Sequence, residues 1–277
     1  MSVRRALAVL LLVVASGAAA NVCPNKIRVQ LDLAAPTSYI DAKGAITGMD
    51  VEMLQLILRE AGCEIEWTFE SMSIERALRQ VQEGYVDVIT RMSIRPERTR
   101  YAHFSEVYRQ EVLGLFALKS TPLPAFSTLT EAYEKGVRLI APGAGFFGEE
   151  LHQLRERWLA SGRMTAYDSA TYASRLLFTK PPRGDMILID ADVFHHFISD
   201  AETEQVINVG DWLLISPAHI MFSKKTISAE LVERLNAIIR EHRKLGTLAA
   251  IERRYRPALL MQNIERMQAR PAAKSDH

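Results

Sequence analysis

Strand-like runs and amphipathic helices alternate along this chain, and that alternation restricts its fold more than any other feature. Ile27 to Leu33 alternates apolar and polar side chains, as a half-buried strand does. Lys43-Gly44 reads as a turn. Asp50 is placed to cap the helix that follows, with Glu52 in its first turn at the positive end of the helix dipole. Met53, Leu54, Ile57, Leu58 and Ala61 form one apolar face, and Gly62 ends the helix. Glu64 to Phe69, rich in aromatic and β-branched residues, is the next strand. A second helix, Ile74 to Glu83, stops at Gly84, and Tyr85-Val86-Asp87-Val88-Ile89-Thr90 makes a third strand. This rhythm is the mark of a parallel α/β sheet. It continues with an apolar strand from Val112 to Lys119, a helix-like segment from Leu129 to Lys135, and Val137 to Gly145, a strand running into a glycine turn. Met186 to Ile189 reads as a buried strand and His219 to Lys225 as another. Leu231, Leu235, Ile238 and Ile239 then give the face of a late amphipathic helix.

The first twenty residues read as a targeting segment. Arg4-Arg5, the apolar run Ala6 to Val14 and the small residues Ala18-Ala19-Ala20 are the three parts of a cleavable signal. The apolar run is short for a membrane span, Cys23 does not directly follow the small residues as a lipid-bearing cysteine would, and no other stretch is a candidate span. Loss of Arg4 and Arg5 takes the 34 basic residues to 32 against 33 acidic ones, a formal charge of −1. That balance gives no support to a nucleic-acid partner, which calls for a clear basic excess. Cys23 and Cys63 each precede a strand candidate; if those strands are parallel neighbours, an oxidising compartment allows a disulfide between them. Two cysteines fall short of a four-ligand zinc site, the seven histidines are scattered, and no metal or other cofactor is expected.

Met92 to Tyr108, MSIRPERTRYAHFSEVY, carries the functional signal. A short turn, Met92-Ser93-Ile94, leads to Arg98 in a run too polar for a core, and Phe104-Ser105 begins the next ordered piece. On charge alone, Arg98 with Arg91, Arg95 and Arg100 is a solvated basic loop. Its surroundings change that reading. The stretch resembles the T-I-T-x-x-R … F-S-x-P-Y signature of the type 2 periplasmic solute-binding proteins, the amino-acid-binding type of bacterial uptake systems (extracellular solute-binding family 3). Gly44 to Val51 resembles that family's G-x-x-x-G-F-D-V segment, and Glu83 to Val88 its G-x-x-D segment. Gly184 to Asp190 is similar to its G-x-x-D-x-x-x-x-D, and Leu245 to Tyr255 to its closing D-G-T-x-x-x-I … Y. The likeness covers residues 26 to 257. It implies an α/β fold of two lobes, each a mixed, mostly parallel sheet flanked by helices, joined by two hinge crossovers. Residues 22–110 and 221–265 would form lobe 1, 114–214 lobe 2, and 266–277 a flexible tail, after a signal peptide at 1–20.

In the family the arginine grips the ligand's α-carboxylate, which assigns that role to Arg98; a planar guanidinium offers a carboxylate two parallel donors. Backbone N–H groups around Ser93 can add to it. The final aspartate takes the α-ammonium, which points to Asp190, although that residue also reads as an N-cap for the next helix, with Asp192 as competitor. Departures from the family fall on the rest of the pocket. Ala34-Ala35 and Ser73 stand where relatives place aromatic walls, and Gly145 stands where they keep a ligand-binding threonine. Tyr39, Phe146 or Phe147 can supply replacement aromatic surface, and Arg91 adds a cation near Ser93. The expected protein is a monomeric periplasmic binding protein, not an enzyme. It takes a small zwitterionic or anionic solute to a membrane permease or sensor, without nucleic acid or stable membrane insertion. Two alternatives remain: an accessory protein of a methanol-oxidation type system with a protein partner, and a dehydratase in which Glu149, Glu150 or Asp190 is the general acid.

Overall fold

Parallel strands require crossover helices to bring the chain back to the same end of a sheet, and this chain supplies them in turn. A computed structural model describes residues 23–24, 26–69 and 72–269; the segment expected to be a signal, 1–20, and residues 270–277 lie outside the described residues. The first block contains β1 (Ile27–Gln30), the hairpin strands β2 (Tyr39–Ile40) and β3 (Ile46–Thr47), α1 (Met49–Glu60) and β4 (Ile65–Thr68). It continues with α2 (Ile74–Glu83), β5 (Val88–Met92), the single turn α3 (Pro96–Thr99) and β6 (Ala102–Phe104). β7 (Arg109–Leu118) leaves it for α4 (Leu129–Glu134), β8 (Leu139–Pro142), α5 (Glu149–Ala160), β9 (Met164–Tyr167) and α6 (Ala170–Leu177). After β10 (Met186–Asp190), α7 (Ala191–Phe197) and α8 (Asp200–Thr203), the long β11 (Val206–Ser223) returns; α9 (Ala229–Lys244), α10 (Thr247–Tyr255) and α11 (Ala258–Ala269) follow.

Local chemistry accounts for most of the boundaries. Ser73 caps α2 by accepting from the Arg76 N–H, and Gly84 closes that helix in the left-handed conformation at φ 80°. α1 departs from expectation. Its N-cap is Gly48, at φ 125°, where a Cβ would meet the Thr37 carbonyl oxygen at 2.4 Å. Asp50 therefore lies inside the first turn, buried, and its carboxylate is free for a distant partner. Helix α11 runs to Ala269, into the segment expected to be a tail.

Two lobes arise because apolar residues cover both faces of the sheet at two separate places, as parallel strands demand. In the first, β1, β4 and β5 run parallel, with Ile27 opposite Ile65 and Val29 opposite Val88. One face carries α1, α9 and α10 over Val29, Ile57, Phe222 and Leu235, and the other carries Val81, Ile89 and Met221. In the second, β8, β9 and β10 are parallel. Alternation along β7 sends Val112 and Phe116 to a cluster with Ile187 and Phe194, and Leu113, Leu115 and Ala117 to one with Trp158 and Leu188. Leu260 and Ile264 of α11, in a segment expected within lobe 1, pack in the Phe116–Phe194 cluster.

Two crossing strands join the lobes. β7 and β11 pair antiparallel from Arg109↔Ala218 to Leu118↔Val206, while the far end of β11 pairs with β5 and β6. Strand order is therefore β4-β1-β5-β11-β7-β10-β8-β9, with residues 219–223 of β11 in the sheet of the first lobe and 206–218 in that of the second, so that one long strand serves both. β11 changes partner near an irregularity between His219 and Met221. At the outer edge, the parallel β1–β4 pairing brings the strand starts together, and Cys23 and Cys63 form the disulfide, with a Cα–Cα separation of 5.4 Å.

Candidate functional site

Open α/β sheets present ligand-binding groups at the carboxyl ends of their strands, and in this molecule those ends from the two lobes meet. The loop after β1 brings Asp32 and Tyr39, the end of β5 brings Arg91 and Ser93, β8 leads to Gly145 and Phe146, and β10 ends in Asp190. The lobes touch across the gap. The Ser93 hydroxyl donates to the Phe146 carbonyl (3.3 Å), the Arg95 guanidinium lies 4.3 Å from the centre of the Phe146 ring, and Tyr39 approaches His196 at 6.2 Å.

Arg98 and Asp190 are each incomplete within the protein. Arg98, on α3, is buried, and its Nη1 donates to the Ser93 carbonyl at 3.0 Å. Burial and the neighbouring Arg95 lower its pKa, and among the described residues no carboxylate lies within 4.0 Å of it. Asp190 is 6% exposed. Its Oδ1 caps α7, accepting from the N–H groups of Asp192 (2.8 Å) and Val193 (3.1 Å). Its Oδ2 is buried and has no hydrogen-bond partner among the described residues. Burial, then the charges of Asp192 and Glu111, push the Asp190 carboxyl up to about 7, against the pull of Arg109 and Arg91. The N-cap role expected for this residue is the one it fills, while Asp192 turns away to Arg256.

Near Asp190 runs a belt of charge that the sequence did not reveal. Asp50 accepts from Arg109 Nε at 2.5 Å and Nη2 at 3.1 Å, and from the Tyr108 hydroxyl at 2.9 Å. Burial works to raise Asp50, but Arg109 outweighs it and holds the carboxyl below its usual range. Arg91, the non-glycine residue with φ of 59°, reaches Asp32 at 3.1 Å and lies 3.7 Å from Asp50. A left-handed conformation costs such a residue energy and is tolerated where surroundings enforce it. Farther along, Arg256 holds Asp192 at 2.9 Å, Glu252 at 2.9 Å and the Gln110 carbonyl at 2.6 Å. The belt thus joins lobe 1, the crossing strand β7 and lobe 2.

The aromatic replacements divide. Phe146 is half-buried and covered by Arg95, Phe147 packs into the Trp158 cluster, and Tyr39 is half-buried at the mouth. Gly145, at φ 99°, gives its carbonyl to Arg155 Nη1 at 3.1 Å, and Gly143 gives its own to Nη2 at 3.2 Å. The turn's carbonyls therefore face a cation. Glu149 and Glu150 occupy the helix start beyond it, and negative charge there disfavours an anion.

A family model for bacterial extracellular solute-binding proteins, family 3, matches residues 27–258. The chain belongs to this family. No curated protein matches this family 3 chain in sequence. Among solved structures it resembles an ancestral arginine-binding protein bound to glutamine, at 23% identity and a TM-score of 0.66, over 84% of this chain and 98% of that one. It also resembles a histidine kinase sensor domain described as similar to periplasmic binding proteins, at 20% identity and a TM-score of 0.65, over 83% and 95% of the two chains. A third likeness is to an ancestral amino-acid-binding protein described as a precursor of cyclohexadienyl dehydratase, at 18% identity and a TM-score of 0.64, over 83% and 95%. At these identities the likenesses establish the two-lobed fold.

In this family 3 protein Arg109, Glu111, Arg155 and Arg256 had no part in the sequence reading, and Asp50 and Asp192 were read only as helix caps. One signal was legible: Arg109-Gln110-Glu111 places two charges directly before the apolar run of β7. Among the described residues no group of three His, Cys, Asp or Glu side chains is placed to hold a metal ion, and no helix is long and apolar enough to cross a membrane.

Proposed function

We propose that this family 3 protein captures a small zwitterionic or anionic solute, an amino acid or a close relative of one, between its lobes. It then delivers that solute to a membrane permease of the ATP-driven type or to a sensor. One observation carries the reading: a buried guanidinium without a carboxylate, Arg98, and a buried carboxylate with one unpartnered oxygen, Asp190. A buried charge left unpaired is costly. A solute carrying both an α-carboxylate and an α-ammonium relieves both costs, and the closed arrangement of lobes is the state in which it does so. The family's description as extracellular and the signal segment at residues 1–20 support a periplasmic location.

Binding without catalysis is the favoured form of this reading. Glu149 and Glu150, both candidates for a general acid, are exposed in the first turn of α5. One observation favours a dehydratase instead: the Asp190 carboxyl, at about 7, can donate a proton near neutral pH. Mass spectrometry of the solute released from purified protein by mild denaturation separates the readings. A zwitterion recovered intact after prolonged incubation with fresh protein supports capture. Loss of water from it supports the enzyme, and recovery of no small molecule with either charge contradicts both.

A further inference from the structure

Carboxylates outnumber guanidiniums in the belt, and their pairing leaves a remainder. Asp50 is taken by Arg109, Asp192 by Arg256, and Asp32 by Arg91. Glu111, on β7, has no hydrogen bond to its carboxylate and no cation within 4.0 Å among the described residues. It is half-buried rather than sealed in the core.

Strand geometry sets Glu111 beside Asp190. In the antiparallel ladder Asp190 stands opposite Leu113, and Glu111 is two residues from Leu113 on the same face. The two are diagonal cross-strand neighbours, with Cα atoms roughly 7–8 Å apart. Asp190 presents a buried oxygen without a partner, and Glu111 is among the charges acting on it. Arg91 and Arg109 act on both carboxyls, but among the described residues neither makes an ion pair with them within 4.0 Å, so a ligand with positive charge at two points would supply the direct partners.

We propose that Glu111 receives a cationic group on the solute's side chain, so that the protein selects a basic amino acid or a similar diamine-bearing zwitterion. This rests on the zwitterion reading above, in which Asp190 takes the α-ammonium. The second positive charge then sits over Glu111, and the diagonal spacing matches the separation an aliphatic side chain puts between two cations. Arg91 does not compete as a subsite for an acidic side chain, because it is bound to Asp32 and lies beside Asp50.

Calorimetric titration of unliganded protein with L-arginine and with L-citrulline, its neutral isostere, tests the inference. Arginine is expected to bind at least about tenfold more tightly, the scale of one hydrogen-bonded charge in a desolvated site. In Glu111→Gln, an isosteric change, the ratio is expected to fall to about one by the same reasoning. Equal binding of the two in wild-type protein overturns the cationic subsite and leaves the zwitterion grip standing. An unchanged ratio in a folded Glu111→Gln protein overturns the assignment to Glu111. Binding of neither probe overturns the cationic subsite, while the zwitterion grip is judged separately by titrating the co-purified solute into Arg98→Ala and Asp190→Asn proteins.

Discussion

The two oxygens of Asp190 are in unequal circumstances, and that inequality governs what the residue can do. Oδ1 is bound by two backbone N–H groups of α7, while Oδ2 is buried without a partner. Burial, Asp192 and Glu111 raise the carboxyl to about 7, with Arg109 and Arg91 pulling the other way. An unfolded aspartate titrates near 3.9. Between those values the native state holds a proton that the unfolded chain has lost, so this group's contribution to stability falls as pH rises through the window. Asp190→Asn keeps the helix cap and removes the charge. Its melting temperature is predicted to exceed that of the unliganded wild type at pH 8, with the difference closing toward pH 5. Thermal melts at the two pH values check this, and a variant less stable than wild type at pH 8 contradicts it.

At the scale of elements, β7 is both a lobe connection and the mount for the charge belt. Arg109 and Glu111 are carried at its start, before alternation delivers Val112 to Ala117 into two hydrophobic clusters. Asp50→Asn leaves the Arg109 guanidinium buried against an uncharged partner, a change that costs about 3–5 kcal/mol when a buried pair loses one member. Chemical denaturation measures it directly; a loss below about 1 kcal/mol, the worth of an exposed pair, shows that the belt is solvated. This also marks the limit of legibility. Strands β1, β4 and β10 and helix α2 could be read from sequence because alternation in β1, aromatic and β-branched residues in β4, the apolar run of β10 and Gly84 after α2 all act within a few residues. Asp50 could not, because its partner Arg109 is 59 residues away, and a lone aspartate near a helix start looks like a cap. The beginning of β11 was missed for a similar reason. Val206 to Ser216 pairs with β7 across the molecule, and Gly210 interrupts its pattern.

At the scale of the whole molecule, two lobes joined through β7 and β11 meet where the carboxyl ends of their strands converge. The Cys23–Cys63 bridge closes a separation of 40 residues, and a loop of that size contributes roughly 4 kcal/mol through the unfolded chain. Cys63→Ser is predicted to lower unfolding free energy by that order while leaving solute affinity intact, since the bridge lies at the outer edge beside β4 and away from the cleft. Across the cleft, Ser93 and Arg95 engage Phe146, and the two residues proposed to grip the solute are each placed by its own lobe, Arg98 by α3 and Asp190 by β10. The likeness to solute-binding folds was legible because its motifs are short and local; the occupied state of Phe146 and the turn carbonyls around Arg155 depend on packing between distant segments. The most direct measurement is calorimetry of the co-purified solute with wild-type, Arg98→Ala and Asp190→Asn proteins. Each substitution is predicted to weaken binding by about 2–5 kcal/mol, the cost of leaving one ligand charge unpaired in a desolvated cleft. Full affinity in a folded Arg98→Ala protein would contradict the grip on which the account rests.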